Sequence, residues 1–275
     1  ESNIGDYFTQ NTPLLDTYSG AAAAYSLRKL SSSYSGALIR VRRSSDNTEL
    51  DINANVFGEL DTVSLLDFAG AGDAFVKTWY DQSGNSNDAT QTTTANQPQI
   101  VSSGAVIVEN GKPAVKFDGS NDTLESASNV VSNSAMSLFM PYKFDNTASR
   151  PQDVVMSSTT DGFKYGMSGS GKDQYANYSL LEVTTWANTI TTQRLDSLFS
   201  VNSGGAILYI NSILQSATGT AGIVGNNTAT LKIGSRDLTS AYFNGKIHEA
   251  IIYASDQSSN RTNIEDNINT FYSIT

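Results

Sequence analysis

The chain has 275 residues and no cysteine, so its fold does without disulfides and no thiolate is available for catalysis or metal binding. Asp and Glu outnumber Lys and Arg by 27 to 17, which gives a formal net charge of −10. Such an acidic chain repels phosphate backbones, which argues against nucleic-acid binding. No apolar run approaches the roughly 20 residues that cross a bilayer, so we expect no membrane insertion.

The first 18 residues show no periodic pattern, and Pro13 breaks any helix there. We interpret residues 1–18 as an arm or linker, which would allow a homo-oligomer if it docks on a second copy. Since Glu1 would not follow a trimmed methionine, we also expect a processed or truncated N-terminus.

Next in the chain, Ala23, Leu27 and Leu30 recur at helical spacing after Ser19, a potential N-cap. This pattern predicts a helix over residues 19–31.

Short strand patterns separated by polar turns dominate the rest of the chain. A strand at 37–43, a turn at 44–47 and a returning strand at 50–53 form a hairpin pattern, and a short helix is predicted at 62–68. Strand patterns then continue to residue 253, and Ile264, Ile268 and Phe271 predict a closing helix. We therefore expect one domain over 19–275, an all-β sandwich with peripheral helices.

Several segments in the C-terminal third resemble concanavalin-like, laminin-G-type domains. They are Leu-Tyr-Ile-Asn at 208–211, Leu-Lys-Ile-Gly at 231–234 and Phe-Asn-Gly-Lys-Ile-His-Glu at 243–249, with Phe-Asp-Gly-Ser-Asn-Asp at 117–122. The resemblance implies a concanavalin-like jelly roll for the sandwich.

A second resemblance lies in the N-terminal half. Ala-Tyr-Ser-Leu-Arg at 24–28, Ser-Gly-Ala-Leu at 35–38, Arg-Arg-Ser-Ser-Asp at 42–46 and above all Trp-Tyr-Asp-Gln-Ser-Gly-Asn at 79–85 are similar to the catalytic domain of α-L-arabinofuranosidase B. Similar segments also resemble phage tail and surface proteins with laminin-G-like domains.

The arabinofuranosidase resemblance implies a catalytic pair of carboxylates, which a retaining glycosidase holds about 5 Å apart. The family's nucleophilic Glu follows paired cysteines in a Tyr-Gly-Asn-Ala-Glu-like run, and this chain has neither. The family's acid corresponds approximately to Asp237, after Ile233 and Gly234. The acidic residues of the central region lie outside the nucleophile motif: Asp145, Asp153, Asp161, Asp173 and Glu182.

Aromatic and polar residues suggest a sugar-binding surface, because a flat ring packs on a sugar while nearby polar groups bond its hydroxyls. The candidates for ligand binding are Trp186, Tyr175, Tyr178, Asp237 and Asp81. Trp186 has polar neighbours on both sides, and the two tyrosines precede it on a predicted strand. For Asp81 the alternative is that it caps its own loop.

The turn after the strand at 114–118 carries a candidate calcium site formed by Asp118, Asn121 and Asp122, since calcium prefers oxygen ligands. A plain turn is the alternative. The single histidine, His248, is expected to be structural, and Glu249 is expected to point inward and accept hydrogen bonds from the backbone or an arginine.

Three functions remain open at this point. The missing nucleophile motif favours a surface-displayed module that binds glycans or host polysaccharide without cleaving them, on a virion fibre, a cell surface or an extracellular adhesin. The alternative is an arabinofuranosidase-like glycoside hydrolase with a relocated carboxylate pair. The third hypothesis is a capsid or filament subunit. No cofactor other than calcium is predicted.

Overall fold

The computed structural model describes residues 12–131, 135–146, 151–156, 163–168, 173–177, 182–186, 193–201, 205–218, 229–236 and 240–274. Helices α1 to α3 are Leu14–Thr17, Thr62–Ala69 and Arg261–Tyr272. The first strands are β1 Ala23–Ser26, β2 Ile39–Arg43, β3 Glu49–Ile52, β4 Ala74–Trp79, β5 Ala89–Thr90, β6 Gln99–Ser102, β7 Ala105–Val106, β8 Val108–Glu109, β9 Lys112–Pro113, β10 Val115–Asp118 and β11 Leu124–Ser126.

The later strands include the long central ones. They are β12 Ala135–Phe144, β13 Gln152–Met156, β14 Phe163–Met167, β15 Asp173–Asn177, β16 Glu182–Trp186, β17 Arg194–Val201, β18 Ala206–Ile210, β19 Ile213–Leu214, β20 Ala217–Thr218, β21 Lys232–Ile233, β22 Asn244–Ile247 and β23 Glu249–Tyr253. Within the described residues no helix is long and apolar enough to span a membrane.

The strands pair in two antiparallel series that form a jelly-roll sandwich, as predicted, and β8 and β9 pair with each other as a separate hairpin. The first series runs β3-β2-β4-β5-β11-β21-β13-β14-β15-β16-β20. The second runs β7-β6-β10-β22-β12-β17-β18-β19, with β23 and then β1 beside β12. Bonds between β4 and β6 join the two series.

Strand β12 shows where the core lies. Met136, Leu138 and Met140 belong to the main core cluster between the two series. Phe139 points the other way, into a second cluster in which Ile264 and Ile268 of α3 pack. Because successive side chains alternate between faces, β12 is buried on both sides only where α3 covers the second series. The predicted helix 62–68 and the closing helix are both confirmed.

The helix predicted over residues 19–31 is wrong. Part of this segment is strand β1, which pairs with β23. Tyr25 lies in the main core cluster and Ala24 in the second cluster, so the side chains alternate with the period of a strand. Because both faces of β1 are buried, its residues do not alternate between polar and apolar. Apolar residues at helical spacing can therefore be picked out of this segment, although it forms a strand. Leu14 and Leu15, inside the predicted arm, pack in the second cluster.

Candidate functional site

Three separate chain segments meet at the end of strand β21. The backbone N–H of Gly234 donates to Val154 O of β13 at 2.9 Å. The hydroxyls of Ser235 and Thr123, which follows the turn after β10, lie 2.8 Å apart. Gly234 has φ +90°, and a Cβ there would overlap the Phe117 ring, so only glycine permits this close approach.

A buried polar cluster, Asp153–Arg236–Lys164, lies at this junction. Arg236 Nε donates to Asp153 Oδ2 at 2.8 Å, and Lys164 Nζ lies 3.8 Å from Asp153 Oδ1. The Asp153 side chain is 1% exposed and that of Lys164 is 8% exposed. Burial lowers the pKa of Lys164, although the nearby Asp153 carboxylate opposes this effect. Buried charges of this kind are common at functional sites.

The cluster is not part of the apolar core. Phe163, Tyr165 and Met167 of β14 belong to the main core cluster, so Lys164 between them points to the opposite face of the sheet. Sequence reasoning noted Asp153 only as a carboxylate outside the nucleophile motif, and it missed Lys164 and Arg236. The signal that could have identified Lys164 is its position on β14 between Phe163 and Tyr165, where strand alternation places it on the opposite face from these two aromatic residues.

The candidate acid Asp237 follows Arg236 directly, but residues 237–239 lie outside the described residues. The residues that flank this gap are connected, because Arg236 N donates to Ser240 O at 3.1 Å. The catalytic role of Asp237 therefore stays a prediction. The structure describes only the residue before it, Arg236, which belongs to the Asp153–Arg236–Lys164 cluster.

The predicted aromatic binding residues lie on or beside strands next to β14. The backbone of Tyr175 in β15 pairs with Tyr165 of β14, and that of Trp186 in β16 pairs with Asp173 of β15. The side chains of Tyr175 and Trp186, and all of Tyr178, lie outside what the structure describes. The strand order nevertheless brings these backbones toward the strand that carries Lys164.

Asp81 has a structural role in its loop. Its Oδ1 accepts from Ala24 N at 2.8 Å and from Ser83 N at 2.9 Å, and its Oδ2 accepts from Ser83 Oγ at 2.7 Å and from Asn87 N at 3.0 Å. The carboxylate thus connects the loop after β4 to strand β1. This arrangement agrees with the alternative stated above, in which Asp81 caps its own loop. A ligand role for Asp81 stays a prediction.

The turn after β10 is held by its own carboxylates. Asp118 Oδ1 accepts from Ser120 N at 2.7 Å, and Asp122 Oδ2 accepts from Asp118 N at 2.9 Å. Burial, with a smaller effect of the Asp118 charge, raises the pKa of Asp122 to about 7. Asn121 N also faces Asp118 Oδ1, at 3.3 Å.

These contacts fit the plain-turn alternative for residues 118–122 better than a cation site. Three backbone N–H groups point toward the carboxylate oxygens, where a cation would need further oxygen ligands. Among the described residues, no group of three or more His, Cys, Asp or Glu could hold a metal. Calcium binding by Asp118, Asn121 and Asp122 stays a prediction.

His248 and Glu249 are structural, as expected. Burial lowers the pKa of His248 to about 4, so the ring is neutral at pH 7, and its Nδ1 lies 2.8 Å from Pro113 O. Glu249 is fully buried and accepts two hydrogen bonds from the Arg28 guanidinium, at 2.9 and 3.1 Å. Neither residue lies in the Asp153–Arg236–Lys164 cluster.

Another polar network, absent from the sequence predictions, lies between the two strand series. Asp196 Oδ2 accepts hydrogen bonds from Tyr142 of β12, Tyr165 of β14 and Arg194. All four residues are buried. The network connects the two sheets through their interior.

An apolar cleft of about 340 Å³ lies elsewhere, between the loop at 55–59 and helix α3. Arg28, Phe57 and Phe271 line it, and it contains none of the predicted site residues. The cluster at Asp153 therefore remains the stronger candidate for chemistry.

Comparison with known proteins identifies the class of this sandwich. The family described as "Alpha-L-arabinofuranosidase B, catalytic" matches residues 7–183, which is more than half of the chain. The chain belongs to this family of glycoside hydrolase catalytic domains. No match was found among curated proteins.

Solved structures agree in fold. An arabinofuranosidase complexed with arabinofuranosyl-α-1,2-xylobiose superposes with a TM-score of 0.69 at 19% identity, over 93% of this chain and 64% of that chain. A GH54 α-L-arabinofuranosidase soaked with a cyclic sulfate inhibitor has a TM-score of 0.62 at 17% identity, with the same coverage. The chain thus spans about 64% of the length of these structures.

These findings correct the main functional prediction. The family match to a catalytic domain contradicts a purely adhesive or glycan-binding module, and it favours the hydrolase alternative. The comparisons also give no support to the resemblance to phage tail and surface proteins. The prediction failed because it gave more weight to one missing local motif than to the family pattern across the whole N-terminal half.

Proposed function

We propose that this chain is the catalytic domain of an exo-acting glycoside hydrolase that removes terminal arabinofuranosyl groups from glycans. The family match over residues 7–183 carries this proposal. The buried charged cluster of Asp153, Arg236 and Lys164 supports it, because charged groups that the apolar core does not require are common at functional sites.

Hydrolysis breaks the bond between the anomeric carbon and the leaving oxygen. We assign Asp237 as the acid that gives its proton to this oxygen, while water supplies the hydroxyl that ends on the anomeric carbon. Asp153, at 1% exposure, does not reach substrate and acts as a positioning residue. It fixes Arg236, the residue that precedes Asp237. The nucleophilic carboxylate is left unassigned.

The test compares the parent with Asp237→Asn on arabinofuranosides with good and poor leaving groups, and on matched pyranosides. A general acid contributes about 10²–10⁴-fold, and a good leaving group needs little protonation. The variant should therefore lose at least about 100-fold in kcat on an alkyl arabinofuranoside and much less on a nitrophenyl one.

Asp67→Asn, an exposed helix position, is the matched control and should behave as the parent does. A parent with no turnover of any arabinofuranoside would refute the proposed function. Equal losses on both leaving groups would refute only the role of Asp237.

A further inference from the structure

A second cleft lies on elements that contribute nothing to the Asp153 cluster. It has a volume of about 380 Å³, which is within the range of small-ligand sites. We call it the serine cleft, and its lining residues are Leu15, Asp16, Ser19, Gly20, Ala21, Ser31, Ser33, Tyr34, Gln82, Ser83 and Gly84.

The lining of the serine cleft selects against charged ligands. Among the described residues that line it there is no Lys or Arg to pair with an anion, and Asp16 is the sole carboxylate. Its polar groups are mostly hydroxyls, which donate and accept hydrogen bonds without a net charge. Together with the net charge of −10, this composition favours a neutral polyhydroxylated ligand over an acidic one.

The floor of the serine cleft is rigid. Gln82 is 3% exposed, and its Oε1 accepts from Leu30 N at 2.8 Å while its Nε2 donates to Arg28 O at 2.9 Å. At the wall, Gly20 and Gly84 have φ of +83° and +90°, and a Cβ on either would meet nothing within 4 Å. Glycine is favoured at both positions by its left-handed backbone conformation, and the wall leaves open space beside them.

Two side chains at the rim offer the contacts that a sugar ring uses. Asp16 Oδ1 accepts from Ser31 Oγ at 3.1 Å and from Ser32 N at 3.0 Å, and Oδ2 accepts from Ser32 N at 3.2 Å. Oδ2 therefore keeps capacity for a ligand hydroxyl. The half-buried Tyr34 ring is fixed by its hydroxyl, which donates to Ala37 O at 2.6 Å.

We propose that the serine cleft binds one sugar residue of a neutral polysaccharide chain, as a subsite separate from the catalytic cluster. Asp16 Oδ2 accepts from the ligand's hydroxyls, and the Tyr34 ring packs against its apolar C–H face. This site would hold the polymer near the enzyme while the catalytic site cleaves its branches.

The experiment fills the cleft and measures binding apart from turnover. Affinity electrophoresis and calorimetry with neutral arabinoxylan are run on the parent and on Ser19→Trp, since Ser19 is exposed and lines the cleft. Ser45→Trp, at an exposed serine outside the cleft, is the matched control. Asp16→Asn is the second variant, because its amide oxygen can still accept from Ser31 and Ser32.

We expect Ser19→Trp and Asp16→Asn to weaken polysaccharide binding at least fivefold, and Ser45→Trp to match the parent. Turnover of a small aryl arabinofuranoside should be unchanged in all three. No binding by the parent, or parent-like binding by Ser19→Trp, would overturn the subsite. If the parent binds the polysaccharide but hydrolyses no arabinofuranoside, and the two variants bind more weakly, the subsite is kept and the proposed hydrolase function is refuted instead.

Discussion

Two buried arginine–carboxylate pairs have almost the same geometry in two regions of the sandwich. Arg28 Nε lies 2.9 Å from Glu249 Oε2, and Arg236 Nε lies 2.8 Å from Asp153 Oδ2. The side chains differ in exposure, which is 6% for Arg28 and 22% for Arg236. The pair alone therefore does not identify a functional site, and the surroundings of each pair have to be compared.

The Arg28–Glu249 pair closes a network of its own. Glu249 Oε2 also accepts from Ser26 Oγ at 2.6 Å and from Tyr272 OH at 3.1 Å. Burial raises the pKa of Tyr272 well above its usual value, so its hydroxyl stays protonated and able to donate. These bonds connect β1, β23 and the end of α3, which is a structural task.

The surroundings of the Asp153–Arg236 pair include a second cation. Lys164 lies beside it, on the face of β14 away from the apolar core. Arg236 also directly precedes the candidate acid Asp237. The two regions teach that similar arginine–carboxylate pairs serve different roles: the Arg28–Glu249 pair joins elements inside the fold, whereas the Asp153–Arg236 pair has a second cation beside it on the face away from the apolar core, and buried charges of this kind are common at functional sites.

The largest effect should come from breaking the structural pair with Arg28→Met. This change leaves the Glu249 charge buried without its cation, which costs about 3–5 kcal/mol of unfolding free energy. Urea denaturation followed by fluorescence measures it. Arg40→Met, in a partly exposed pair with Glu49, is the control and should cost about 1 kcal/mol or less. Equal losses in the two variants would contradict the structural role of Arg28.

The second prediction concerns the charged cluster. Asp153→Asn should lower kcat for an arabinofuranoside about 100-fold with little change in KM, because a misplaced catalytic group costs about that much. Its stability loss should be smaller than that of Arg28→Met, since Arg236 is more exposed than Arg28. Lys164→Met keeps the Asp153–Arg236 bond and should retain more activity. A kcat loss greater in Lys164→Met than in Asp153→Asn would refute the positioning role.

The third prediction is a pH dependence at the turn after β10. The pKa of Asp122 is raised to about 7 in the fold. Between about pH 4 and pH 7 the folded state therefore keeps a proton on this carboxyl group that the unfolded chain has released. Its stabilising contribution is complete below pH 4 and is lost as the pH rises to about 7. Asp122→Asn should remove a slope of up to about 1.4 kcal/mol per pH unit. Unfolding curves at pH 4.5 to 8 measure it, and an unchanged slope would contradict it.

The smallest effect is expected at His248, where stability should depend on pH in the opposite direction to that at Asp122. Its pKa is lowered to about 4, so below pH 6.5 the unfolded chain gains a proton that the fold excludes. Stability should fall between pH 6.5 and 4, and His248→Gln should flatten this fall. The same unfolding series, measured alongside Asp122→Asn, separates the two residues. A steeper acid loss in the variant would show that the buried imidazole is not the cause.

Local patterns predicted much of the β-sandwich correctly. The hairpin at 37–53 and helices α2 and α3 all occur where the pattern indicated them. Their patterns lie within a few neighbouring residues, so the local sequence was enough to predict them. The helix predicted at 19–31 failed, because β1 is buried on both faces and loses the alternation that would have identified a strand.

The candidate site depended more on tertiary structure than the fold did. The resemblance of residues 79–85 to arabinofuranosidase B anticipated the family, and Asp237 was named from its position after Ile233 and Gly234. The association of Asp153, Lys164 and Arg236 could not be predicted, since 72 residues separate Lys164 from Arg236 in the chain (236 − 164). Strand β21 inserts between β11 and β13, and this pairing brings the residues together.

The sequence by itself determined the absence of disulfides, the acidic charge, the β-rich class and the family resemblance, because composition and short-range periodicity express these properties directly. Glu249 apart, the tertiary structure decided which carboxylates are paired and which are buried. Those properties arise from contacts between distant segments, and a carboxylate's environment sets its pKa and its role. Asp122, Asp153 and Glu249 all carry carboxyl groups, and they have three different environments in the fold.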